Sequence, residues 1–210
     1  MARRLVSVRR AVAALGVGVA LVAVPLARAD GDPASDVLYT SNLFPSYDGG
    51  MSAASLDALK ATLADARKAG YEIRVAVIAQ PDDLGSVTAL WAKPQEYARF
   101  LGTELSIVYT KPVLVVMPNG VGFYHAGHDT KGAAAALKPI TSGSGDLLAQ
   151  AAIDSVATLA RQAGHPFTPH SIAAARASSS HTALVARISI GVVLVLAVVV
   201  FLLFRRRRRG

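Results

Sequence analysis

The C-terminal end constrains this chain most. From Ile188 to Phe204 the sequence holds no charged residue and one polar one, Ser189, and Arg205 to Arg209 follow at once. At about 1.5 Å per residue this run is just long enough to cross a hydrocarbon core of about 30 Å. Adding Ala183 to Ala186 lengthens it, with Arg187 placed to snorkel at one interface. The arginines stop transfer and set the cytoplasmic side by the positive-inside rule. The expectation is one transmembrane helix over residues 183–204 with a cytoplasmic tail over 205–210.

The N-terminal end agrees. Arg3, Arg4, Arg9 and Arg10 precede a small apolar run, Ala11 to Leu26, and Ala27-Arg28-Ala29 supplies an A-x-A cleavage pattern before Asp30. Those are the three parts of a secretory signal peptide, residues 1–29. An uncleaved anchor would put the following segment in the same place. Residues 30–164 are then expected outside the cytoplasm as one domain of ordinary size. Residues 165–182, rich in Pro, Ser and Ala, read as a stalk to the bilayer.

Charge must be reread on that topology. The whole chain carries +8. Of its 22 Lys and Arg residues, five lie in the signal and six at the span and tail, leaving 11 against 14 acidic residues. The exported part is therefore near −3, and it has no electrostatic footprint for nucleic acid. The expected partners are the lipid bilayer and another membrane or cell-envelope protein. The chain has no cysteine, which excludes disulfides, thiolate zinc and thiol chemistry.

Periodicity gives the elements. Val37 to Thr40 is a short apolar run, expected as a first strand after a loose leader, and Asn42 to Gly50 carries loop chemistry. Ser52 is a candidate N-cap for a helix whose stripe is Leu56, Leu59, Leu63 and Ala66, closed by Gly70. Tyr71 to Ala79 reads as a strand entering a sheet covered on both faces. Gln80 to Gly85 reads as a loop, and Pro94 opens a second helix with Tyr97, Phe100, Leu101 and Leu105. Pro112 to Met117 is a central strand, and Asn119-Gly120 signals a hairpin into Val121 to Ala126. A short Ala-rich helix over Thr130 to Leu137 and a long one over Asp146 to Ala163 complete the domain. The expected fold class is α/β: a βαβαββα sandwich with a mixed sheet of about four strands flanked by helices, plus the C-terminal transmembrane helix.

Three stretches carry a resemblance: ALKATLADARKAGYEIRVAVIA, PQEYARFLGTEL and KPVLVVMPNGVGFYHAG. With the element order, the signal and the span, the chain resembles the TPM-domain family. The resemblance implies an extracytoplasmic α/β domain on a single anchor. It further implies acidic-loop metal binding, modest phosphatase activity, or a chaperone-like and auxiliary role. Family members usually carry Asp-Asn-Gly just before the third strand, where this chain has Tyr109-Thr110-Lys111.

Candidate chemistry falls at two places. In an open α/β sheet, ligands gather beyond the carboxyl ends of the parallel strands. The loops expected there hold Asp48, Asp82, Asp83 and Asn119 beside Tyr47, an oxygen-rich set suited to Ca²⁺ or Mg²⁺. The same aspartates also suit plain turn initiation. His125, His128 and Asp129 form an H-x-x-H-D group expected at the opposite edge, one ligand short of a zinc centre. Trp91 is expected in the core. No G-x-S-x-G, H-E-x-x-H or phosphate-loop signature is present. Two functions stay open: a tethered binding or accessory domain, and a weak divalent-metal-dependent phosphatase-like hydrolase.

Overall fold

The computed structural model describes residues 31–140, 143 and 145–176. The expected signal peptide, transmembrane helix and cytoplasmic tail lie outside these residues. Among the described residues no helix is long and apolar enough to cross a membrane. The elements run in the order α1 (Pro33–Thr40), β1 (Leu43–Phe44), α2 (Ala53–Lys68), β2 (Arg74–Val77), α3 (Pro94–Glu104), β3 (Val113–Met117), β4 (Gly120–Tyr124), α4 (Lys131–Ala135) and α5 (Gly145–Gln162). Tight 3₁₀ segments occupy Pro81–Leu90 and Leu105–Ile107.

The four strands form one mixed sheet in the order β1-β2-β3-β4. β1 pairs parallel with β2, and β2 parallel with β3. β4 returns antiparallel, from Met117 opposite Gly120 to Val113 opposite Tyr124. The hairpin is therefore turned by Pro118-Asn119, one residue earlier than Asn119-Gly120 predicts.

Side-chain alternation splits the core into two layers. Leu43, Val75, Val77, Leu114 and Val116 face α2 and α5, where they meet Leu59, Leu63, Leu148 and Val156. Phe44, Ala76, Val113, Val115 and Met117 face α1 and α3, where they meet Leu38, Tyr97 and Leu101. Covering both faces is what lets the central strands be apolar throughout. Each fully buried Leu or Val contributes about 1.5–3 kcal/mol. Trp91 is only half-buried, against the second layer.

α2 begins at Ser52, whose hydroxyl accepts from the Ser55 N–H, and Gly70 follows its end at φ +90°. α5 lies beside α2 in the same direction. At one end the Ser52 N–H donates to Asp146 at 2.7 Å, and at the other His165 Nδ1 donates to the Ala69 carbonyl at 2.9 Å. Aligned helix dipoles repel, and the Asp146 carboxylate offsets this at the two N-termini. Gly145 permits that approach: a Cβ there would stand 2.3 Å from the Gly49 carbonyl oxygen and the Met51 nitrogen.

β4 is an edge strand, and α3 covers its open side. The Gln95 carboxamide donates to the Phe123 carbonyl at 2.9 Å and accepts the Phe123 N–H at 3.1 Å. One side chain thus occupies both outward groups of that residue, which blunts the edge against pairing with another chain.

Two element assignments are also corrected. Val37 to Thr40 is the end of helix α1, not a strand, and the first strand is Leu43–Phe44. Asp32 caps α1, its side chain accepting the Ser35 N–H, and Pro33 fills the first turn. Ala34 and Leu38, four apart, share its buried stripe. A four-residue apolar run cannot by itself separate these states. Gln80 to Gly85 is not open loop either, because the chain coils tightly from Pro81 to Leu90 with a break at Gly85 and Val87.

Residues 165–176, expected as the head of a stalk, pack along the domain. The His170 N–H donates to Thr62 Oγ1 at 3.1 Å, and His170 Nε2 lies 2.8 Å from Asp65. Ile172 is buried in the α2–α5 layer, and Phe167 packs against it. Arg176 then pairs with Asp146. This strap returns along α2 from its C-terminal end to its N-terminal end.

Candidate functional site

The parallel strands β1 and β2 both deliver the chain to one edge. Tyr47 and Asp48 follow β1, and Gln80, Asp82 and Asp83 follow β2. These residues, with Asp36 and Val37 of α1 and with Gly31, Pro33 and Gly85, line a hollow of about 730 Å³. That volume lies within the range of small-molecule sites. Among the described residues four carboxylates line it and no Lys, Arg or His does.

The carboxylates are not equivalent. Asp83 is 1% exposed. It accepts the N–H groups of Ala79 at 2.9 Å, Gln80 at 3.1 Å and Tyr47 at 3.3 Å. With Gln80 it closes a capping box on the 3₁₀ segment. Asp83 is therefore the joint that ties the loop after β1 to the loop after β2. Asp36, Asp48 and Asp82 are exposed on the rim, and Tyr47 stands 67% exposed among them.

Asn119 does not belong to this hollow. It caps the β3–β4 hairpin, and its amide donates to the Ala92 carbonyl at 2.7 Å. Ala92 is held at φ +61°, and the bond fixes the turn that leads into α3. The expected set Asp48, Asp82, Asp83 and Asn119 is thus divided: two exposed rim residues, one buried joint and one hairpin lock. Among the described residues no group of three His, Asp or Glu side chains is placed to hold a metal ion. The four expected Ca²⁺ or Mg²⁺ ligands are thus not brought together: Asn119 lies at the hairpin, and buried Asp83 accepts three backbone N–H groups.

A buried pair beneath the hollow has no counterpart in the expectations. Asp32, 5% exposed, accepts the hydroxyl proton of Tyr97, itself fully buried, at 2.5 Å. Burial raises the Asp32 carboxyl above the ordinary carboxylate range, against the lowering effect of the Tyr97 hydrogen bond and the backbone donors. Burial also pushes the Tyr97 phenol well up, and the charges of Asp32 and Asp83 push the same way. The signal was legible: Asp-Pro-Ala-Ser at residues 32–35 is a cap followed by a first-turn proline.

The histidine group sits at the other edge, after β4. The His125 and His128 rings stack with centroids 3.8 Å apart. His128 Nδ1 donates to the Ala126 carbonyl at 2.9 Å, and Asp129 accepts the Lys131 N–H at 3.0 Å. Partial burial lowers the His125 imidazole, with His128 adding to the effect. These bonds shape a turn, and Asp129 is used within it.

The chain matches no family model, no curated protein and no solved structure.

Proposed function

We propose that this is a single-pass, membrane-anchored extracytoplasmic domain that works as a binding or accessory module. One observation carries the reading. At the strand edge the buried carboxylate Asp83 is consumed in holding two loops, so the exposed groups form an open rim. That rim offers Asp36, Asp48, Asp82 and the aromatic face of Tyr47. Such a surface suits recognition of a cationic group, by charge and by ring contact. The TPM resemblance over residues 58–79, 94–105 and 111–127 supports an auxiliary role. The apolar run 188–204 with its arginines supports the anchor, and the signal pattern supports the exported side.

A metal-dependent phosphatase is the second reading: a divalent ion could clamp phosphate oxygens at the acidic loop edge, although among the described residues no three carboxylates converge there. It ranks second because Asp83 is committed. One experiment separates the two. The full chain, in detergent, is melted with and without Ca²⁺ and Mg²⁺ and is assayed with p-nitrophenyl phosphate. The expected result is no metal-dependent turnover. Metal-dependent turnover that disappears in Asp82→Ala would overturn the binding reading.

A further inference from the structure

The outward face of α5 carries a second hollow, of about 520 Å³, which shares no lining residue with the acidic one. Its floor is one helical stripe: Leu147, Ala151, Ser155, Thr158 and Arg161, spaced three or four residues apart. At about 1.5 Å per residue the stripe runs about 21 Å. The segment from Ala136 to Ile140 and Pro169 of the strap supply the walls. The floor changes character along its length. Leu147, at one end, is 59% exposed, Ala151 follows it, and Pro139 and Ile140 add apolar wall. Toward the other end come two hydroxyls and a guanidinium. Ser155 lines the floor at 5% exposure, and neither its hydroxyl nor that of Thr158 has a hydrogen-bond partner among the described residues. Arg161 and Lys138, which line the same hollow, form no ion pair with a described residue. The carboxylate of Asp154 also lies there, and it accepts from the Gln150 amide at 3.0 Å. Two free cations thus stand against one engaged anion.

We propose that this hollow binds a single-chain anionic amphiphile, an acyl chain ending in a carboxylate or a phosphate. The head lies at Ser155, Thr158 and Arg161, with Lys138 completing its charge pairing, and the chain runs along α5 over Ala151 to Leu147. A buried hydroxyl without a partner is costly, and the oxyanion supplies the acceptor that Ser155 lacks. Charge-assisted bonds from the guanidinium and the ammonium then hold the head. A free inorganic anion would leave the apolar end in water. A peptide is disfavoured as well, because the backbone of α5 bonds within the helix and offers a peptide's amides no partners. An acyl chain needs none. The volume is that of a small-molecule site. This site lies apart from the acidic rim and does not depend on what binds there.

Photolabelling tests it. The full chain in phosphatidylcholine nanodiscs is irradiated with palmitate carrying a diazirine midway along its chain, with the matching alkyl phosphate, and with the matching uncharged alcohol. Tandem mass spectrometry places the adducts. Palmitate, the alkyl phosphate or both are expected to label residues 136–151, and the alcohol at least about tenfold less. The stronger of the two charged probes tells a fatty acid from a phosphate lipid. Lys138→Gln combined with Arg161→Gln should reduce the labelling about tenfold or more. Both positions are exposed, so the melting temperature of that variant should stay unchanged. Ala151→Trp, which fills the floor, should block the labelling as well. Adducts confined to other parts of the chain, equal labelling by the alcohol, or labelling that survives the double substitution would overturn the proposal.

Discussion

Tyr97 of α3 donates its hydroxyl proton to Asp32, the residue that caps α1, and both side chains are buried. The bond joins the first described helix to the third across the layer above the sheet. It gives a buried carboxylate a donor in addition to the Ser35 N–H. Tyr97→Phe leaves the apolar ring in place and removes only that donor. The expected loss is about 1–3 kcal/mol, the cost of stranding a buried acceptor, read as a lower urea midpoint with an unchanged slope.

Asp83 and Asp82 are neighbours in sequence with opposite roles. Asp83→Ala removes the acceptor for three backbone N–H groups and should cost about 3 kcal/mol. Asp82→Ala, at an exposed rim position, should change stability by no more than about 0.5 kcal/mol. Thermal melts of the two variants check the contrast. Equal losses would mean that Asp83 is not the joint between the loops.

Asp146 sets an acid limit. Its carboxyl is lowered from 3.8 to about 2, first by the Ser55 side chain and then by the Ser52 N–H, with Arg176 adding to the effect. A lowered carboxylate stabilises the fold above its unfolded value, and that stability is lost as the pH falls through the folded value. The loss should therefore run from about pH 4 down to about pH 2. Asp146→Asn should flatten that part of the stability curve. Asp32 acts with the opposite sign, since its value is raised: its contribution is present below 3.8 and is lost as the pH rises through the folded value. Urea titrations in steps of pH, on each variant, separate the two.

Ile172 tests the strap. It is 7% exposed in the α2–α5 layer. Ile172→Ala should cost about 2–4 kcal/mol, whereas a residue of a free stalk would cost almost nothing. A domain cut at Gly164 should melt well below one that continues to Arg176. Equal melting temperatures would return residues 165–176 to the stalk.

Helices α2, α3 and α5 were legible because each pairs a long apolar stripe with a terminal signal: Ser52 and Gly70, Pro94, and Gly164. β2 and β3 were legible because their apolar runs are rich in β-branched residues and are bounded by Gly and Pro turn signals. The mixed four-stranded sheet followed from their order and from the hairpin. α1 was misread because Val37 to Thr40 is too short for periodicity, although Asp32-Pro33 marked a helix start. The sequence by itself thus determined the mixed sheet covered by helices and the likeness of both ends to export and anchoring segments, while the strand order came from the tertiary structure. The first two depend on local pattern, which neighbouring residues carry. The fate of each polar group was decided by tertiary structure alone. Asp82 and Asp83 are indistinguishable as letters, yet one faces water and the other binds Tyr47 across 36 positions of sequence. His165 and His170 resemble stalk residues until Ala69 and Asp65 are brought beside them. A carboxylate becomes ligand, cap or joint according to which backbone donors reach it first, and only the packing of distant segments settles that.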